Sequence, residues 1–187
     1  MKKISIKHIL TLLGIFAFFT FVLTGYFIQK RNYPDPVQHT FSLGDTFQLG
    51  DFEITGNSVD HGTNKEICSK YGIKNSVGNI SFQHDWEDVY DCIIEITITN
   101  ISDAENSFPY YYAVISSLSD SNGLDPDLFH TLNPDISSTF QPGETKKVYF
   151  TYSIYNSTIQ IKGDPFEKMN YFPVFQCYPD RYSILIE

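Results

Sequence analysis

Between Asp91 and Asn100 the chain alternates without a break. Cys92, Ile94, Ile96 and Ile98 share one face, and Glu95, Thr97 and Thr99 share the other. Strand side chains repeat with period two, so this β-branched run predicts a half-buried strand at the centre of a core. Asn100, Ser102 and Asp103 end it, because their side chains bond their own backbone and turn the chain. Phe47/Leu49 and Phe52/Ile54 alternate on either side of Gly50-Asp51 and predict two short strands about a turn or bulge. Residues 108–115 predict another strand, with Pro109 at its start, where a missing N–H is tolerated. Residues 147–154, 158–162 and 182–186 complete the strand set. Asp120-Ser121-Asn122-Gly123 reads as a hairpin turn and Gln141-Pro142-Gly143-Glu144 as a second turn. Roughly seven to nine short strands separated by turns predict an all-β, antiparallel sandwich. Residues 60–88 lack a clear period, and fit a short helix near 64–71, an extra hairpin or a binding loop.

A different pattern precedes the strands. Residues 9–28 carry no charge, and as a helix they cover roughly 30 Å, the thickness of a bilayer's hydrocarbon core. Lys2, Lys3 and Lys7 come before the run, and Lys30 and Arg31 close it. Val22-Leu23-Thr24-Gly25-Tyr26 has no pair of small residues where a leader peptidase would cut. It resembles the start of a lipobox, but Tyr26 stands where the acylated Cys belongs. The reading is one transmembrane helix, an uncleaved signal anchor, and the small excess of basic residues before it places the N-terminus inside. The expected organisation is a basic cytoplasmic end (1–8), the anchor (9–28), an extended linker containing Pro34 and Pro36 (29–40), and an extracytoplasmic domain (41–187).

Charge sharpens this picture. Five of the 13 Lys/Arg lie in the first 31 residues, and all 22 acids follow them. The remaining chain has 8 basic against 22 acidic residues, a net of −14. A body this acidic repels phosphate backbones, so no nucleic-acid partner is expected. Hydrophobic residues at 42% in patterned runs rule out disorder as the cause of the acid excess.

Leu43-Gly44-Asp45-Thr46, the strand ending Ile96-Thr97-Ile98-Thr99-Asn100, then Asp120-Ser121-Asn122-Gly123, and Phe140-Gln141-Pro142-Gly143-Glu144-Thr145 leading to Phe150 occur in that order. This succession resembles an immunoglobulin-like domain family of unknown function, found on lipoproteins and surface proteins of Gram-positive bacteria. The resemblance covers roughly residues 41–162. It implies an extracytoplasmic immunoglobulin-like β-sandwich and lends no catalytic residue. This chain departs from it in lacking the lipobox Cys, in a longer segment before the central strand, and in a tail beyond Gly163.

Candidate chemistry is sparse. Asp85, Glu87 and Asp88, with Asp91 close behind, form the densest acidic cluster and are the candidate cation ligands, since hard cations take several carboxylate oxygens. The same residues also suit a solvated edge leading into the core strand. Residues 120–127 lack the spacing and distal Glu of a calcium loop. Three cysteines allow one disulfide; Cys92 sits on the core face, which leaves Cys68 and Cys177 as the candidate pair, with three reduced thiols as the alternative. Of Tyr110, Tyr111 and Tyr112, one or two must face the core and the rest are free for recognition. No nucleophile-and-base motif, P-loop or dinucleotide fingerprint occurs, so neither enzymatic activity nor a cofactor is expected. The expected function is a membrane-anchored extracytoplasmic binding module, partnered by an extracytoplasmic protein or cell-envelope ligand. The contact surfaces expected for it are residues 60–88 and 120–127. The alternative is an extracytoplasmic cation or small-ligand sensor using the acidic loops.

Overall fold

A computed structural model of the chain describes residues 6–74, 76–77, 80–81, 89–117 and 120–186. They fall into two compact units, Met1–Val37 and Gln38–Glu187. The first contains helix α1 (Ile6–Asn32), of which Thr11–Asn32 is long and apolar enough to cross a membrane. Leu12, Phe16, Phe21 and Phe27 are all exposed along it. A helix of this length and composition serves either as a membrane anchor or as a signal sequence. It runs past residue 28 because Gln29, Lys30 and Arg31 are good helix formers and the two basic side chains favour the helix C-terminus. Pro34 then bars continuation.

Beyond α1 the chain forms β1 (Val37–Phe41), β2 (Thr46–Leu49), β3 (Phe52–Thr63) and helix α2 (Asn64–Lys70). The short strands β4 (Ser76–Val77) and β5 (Ile80–Ser81) precede the long β6 (Val89–Asn100). Next come β7 (Asn106–Ser107), a 3-10 turn at Tyr110–Tyr112, β8 (Val114–Ser116), β9 (Ser121–Gly123) and α3 (Pro126–Leu132). The chain ends with β10 (Thr139–Phe140), β11 (Thr145–Tyr155), α4 (Asn156–Ile159), β12 (Phe172–Gln176) and β13 (Asp180–Ile184). One sheet runs β11-β6-β3-β2 and the other β1-β13-β12-β8-β9, with the pairs β4/β5 and β7/β10 apart from both.

The two larger sheets share one core, which makes the unit a β-sandwich. Ile54, Cys92, Ile94, Ile96, Ile98, Val148 and Phe150 from the first sheet meet Ile115, Phe175 and Ile184 from the second. Phe150 and Phe175 touch edge to face across the gap, with centroids 5.7 Å apart. The predicted central strand is β6, paired antiparallel with β11 on one side and β3 on the other. Its outer face is polar at Glu95, Thr97 and Thr99, where Lys147 and Asn57 bond Glu95. In its first half, however, Asp91 and Ile93 are also buried, because α2 lies over β3 and β6 there. A capping box starts α2: Thr63 Oγ1 accepts from Glu66 N, and Glu66 accepts from Thr63 N.

From Tyr149 to Ser153 the outer edge of β11 is closed by side chains and one backbone N–H instead of another strand. Asn133, at the end of α3, accepts from Tyr149 N at 2.9 Å and donates to Tyr149 O at 2.9 Å, as a neighbouring peptide would. Asp125 N donates to Thr151 O, and Asn122 Nδ2 donates to Ser153 O. An edge so occupied offers no template for another chain.

The structure differs from the sequence pattern at four places. Residues 121–123 form strand β9, not the hairpin turn; Ser117 N bonds Asp120 O, so the reversal lies earlier. Tyr110–Tyr112 is a 3-10 turn because the Tyr110 ring is drawn into the core beside Phe108, Phe129 and Phe150. Residues 158–162 are not a strand: α4 covers Asn156–Ile159, and Gln160 adopts a left-handed conformation that ends it. Strand β1 occupies part of the expected linker, reaching β13 in the second sheet.

Two expectations follow. Asn133→Ala leaves the Tyr149 N–H and C=O without their partner and lowers unfolding stability by about 1–3 kcal/mol in urea titrations followed by circular dichroism. A loss below experimental error would show that water replaces the amide. Lys147 holds the Glu95 carboxyl below its ordinary value of 4.5. A carboxylate depressed on folding adds stability that is complete above that value and lost as pH falls through its folded value. The stability gap between the parent and Glu95→Gln therefore closes in acid, and a gap independent of pH would refute the assignment.

Candidate functional site

The acidic cluster proposed for a cation divides. Asp85, Glu87 and Asp88 lie outside the described residues. Asp91 is fully buried and engaged: Asn64 Nδ2 donates to its Oδ2 at 2.7 Å, and Ser153 Oγ stands 2.7 Å from its Oδ1. Ser153 Oγ is also 2.8 Å from Asp125 Oδ2, while Asp125 Oδ1 caps α3 by accepting from Asp127 N and Leu128 N. These bonds tie α2 and α3 to β6 and β11. Asp91 is a structural carboxylate within the core.

The pairing of Cys68 with Cys177 is not formed. All three cysteines are free thiols, with Cys68 and Cys92 buried and Cys177 exposed. Cys68, on the buried face of α2, packs beside Ile73 and Leu128, whereas Cys177 follows β12. Burial, reinforced by the Asp91 and Asp125 charges, pushes the Cys68 thiol up to about 11.

Sequence reading did not foresee one constellation. His61 lies opposite Cys92 in the β3/β6 register, and its Nδ1 is 3.0 Å from Asp164 Oδ2. Cysteine, histidine and aspartate are the constituents of a thiol nucleophile site. Cys92 is sealed from solvent, though, and burial first, then the Asp164, Asp60 and Asp91 charges, drive its thiol well above the ordinary value. A nucleophile needs the reverse on both counts.

An open groove of about 620 Å³ offers what these clusters do not. The β2–β3 turn supplies Leu49, Gly50, Asp51 and Phe52; the stretch around β7 supplies Asn106, Ser107, Phe108 and Pro109. Tyr112 enters from the 3-10 turn, and β12 with its exit supplies Phe175, Gln176, Cys177 and Tyr178. Phe52, Phe108 and Phe175 are core residues and make a fixed apolar base. Tyr112 and Tyr178 stand exposed, at 77% and 50%. Asp51 Oδ2 accepts from Asn106 Nδ2 at 3.2 Å, which bridges two of the contributing segments. Such a site, with its apolar floor, exposed rings and a few polar groups, is fitted for binding. Sequence reading drew attention to the Tyr110–Tyr112 run but could not assemble segments so far apart.

Residues 37–181 match a family described as a domain of unknown function, DUF5028. The chain belongs to the DUF5028 family. Among curated proteins none matches it in sequence. The DUF5028 chain is similar to a conserved hypothetical protein from Bacillus anthracis, with 16% identity over 79% of this chain and 95% of that one, and a TM-score of 0.49. It is similar also to the yjhA protein from Bacillus subtilis, with 15% identity over 79% and 99% of the two chains and a TM-score of 0.48. An uncharacterized beta-sandwich protein from Clostridium difficile is 13% identical over 82% and 97%, with a TM-score of 0.42.

The thiols of this DUF5028 chain make a direct check on the geometry. With iodoacetamide at pH about 8, Cys177 labels in the folded protein while Cys68 and Cys92 label only on unfolding. Mass spectrometry of the digested protein reads the three sites separately. Equal labelling of Cys68 and Cys177 would place Cys68 at the surface and overturn the packing of α2.

Proposed function

We propose that the chain is a membrane-anchored, extracytoplasmic binding module, without catalytic activity, whose recognition surface is the groove rimmed by Tyr112 and Tyr178. One observation carries the reading. Two large aromatic rings are left in solvent around a floor of core phenylalanines, and of the other described aromatic side chains after α1 only Tyr33 and Tyr111 are as exposed. Tyrosine offers wide contact area at low entropic cost, and its hydroxyl retains a hydrogen bond in either state. The apolar N-terminal helix supports anchorage, and the order of turn motifs that resembles the immunoglobulin-like surface family supports an outward-facing body. The groove replaces residues 60–88 and 120–127 as the contact surface: much of those stretches is strand or helix, and residues 75, 78–79 and 82–88 lie outside the described set.

The alternative, a cation or small-ligand sensor, would rest on Asp85, Glu87 and Asp88, since Asp91 is committed to Asn64 and Ser153. No observation favours it over the groove.

Photo-crosslinking tests the proposal. A benzophenone amino acid in place of Tyr112, in the full-length protein in its own membrane, should give a discrete adduct on illumination. The same probe in place of Thr97, on the outer face of the four-stranded sheet, should give none. Equal yields at the two positions, or no adduct at Tyr112, would refute the groove as the recognition surface.

A further inference from the structure

Charge and edge geometry together narrow what the groove can hold. The segments that build and flank it, residues 49–53, 101–109 and 175–180, contain Asp51, Glu53, Asp103, Glu105 and Asp180 and no Lys or Arg. Arg181 is the first base beyond them. Asp180 faces His39 at 3.4 Å, and Glu105 accepts from Gln141, so these two are partly engaged. Asp51 lines the groove itself, and the described hydrogen bond of its carboxylate uses Oδ2 alone. A carboxylate next to exposed tyrosine faces is the pairing that receives an ammonium or guanidinium group, by charge and by the ring quadrupole. Phosphate, carboxylate and anionic headgroups would meet only like charge here. The body's net of −14 beyond residue 31 draws a cationic partner from a distance and repels an anionic one.

The occupant's shape follows from β2. This strand is the edge of its sheet, and Leu49 at its end lines the groove. An edge strand presents backbone groups that an extended chain can pair with, and Asn106, Ser107 and Gln176 add side-chain donors and acceptors nearby. A small organic cation would use the rings and Asp51 but would leave the edge idle.

We infer that the groove binds an extended, Lys- or Arg-bearing segment of a partner polypeptide, laid along β2 with a basic side chain between Asp51 and the rings of Tyr112 and Tyr178. The inference rests on the groove being the recognition surface.

The test uses full-length protein in phosphatidylcholine nanodiscs, whose lipids carry no net charge. Two fluorescein-labelled peptides of equal length, alternating Lys-Ala and alternating Gln-Ala, are titrated by fluorescence anisotropy. The Lys-Ala peptide should bind about tenfold tighter. Asp51→Asn and Tyr112→Ser should each weaken it by about threefold, Tyr112→Phe should restore the ring's contribution, and Asp127→Asn on α3 should leave binding unchanged. Loss of affinity in Asp127→Asn equal to that in Asp51→Asn would show diffuse attraction to an acidic body and overturn the inference. If the two peptides bind equally and Tyr112→Ser weakens both, the cationic class falls while the groove survives. If neither peptide binds, the cationic segment is again refuted, and crosslinking at Tyr112 judges the groove independently.

Discussion

The architecture hangs on the pairing of β6 along both of its edges. From Tyr90 to Thr99 every residue faces a partner in β3, in β11, or in both. A strand paired on both sides and carrying Cys92, Ile94, Ile96 and Ile98 on one face can satisfy its backbone only inside a sheet, and its side chains only against a second layer. The second sheet supplies that layer through Ile115, Phe175 and Ile184. Where β6 also buries Asp91 and Ile93 on its outer face, α2 must cover it, and the capping box from Thr63 to Glu66 starts that helix immediately after β3.

Polar groups buried by this arrangement are used as ties. Asp91 and Ser153 join the two central strands to the helices above them. Asn100, fully buried at the far end of β6, donates to Ala104 O and lies 3.2 Å from both Phe140 O and Gln141 O. Its amide holds the loop after β6 against the turn before β11. Asn133 does comparable work at the edge of β11. Replacing any of these by an apolar residue would leave polar groups unpaired in a low-dielectric interior, where a missing partner is costly.

The same economy explains which surface the fold leaves open. Helices cover one half of the four-stranded sheet, side chains seal the β11 edge, and the inner faces are packed. Of the four-stranded sheet, the β2 edge stays unpaired, beside the groove with its exposed tyrosines. A fixed floor of Phe52, Phe108 and Phe175 means that a ligand there would meet an already formed surface, which lowers the ordering cost of binding.

Local pattern alone determined the strands whose side chains alternate and the turns whose residues demand them. The face of Cys92 to Ile98, the Gly50-Asp51 and Gln141–Glu144 turns, the buried free Cys92 and the apolar N-terminal helix were all legible, because period two, turn chemistry and uncharged length are properties of neighbours in sequence. Tertiary contact decided the rest. Asn122 reads as a turn residue but lies in β9, where β8 and Ser153 O receive it; Tyr110 leaves the strand pattern because four phenylalanine rings surround it. Asp91 reads as one more acid in an acidic run and turns out to be a core tie. The groove belongs wholly to this second class. Its residues come from segments more than a hundred positions apart, and no spacing along the chain encodes a surface that exists only once two sheets have closed on one core.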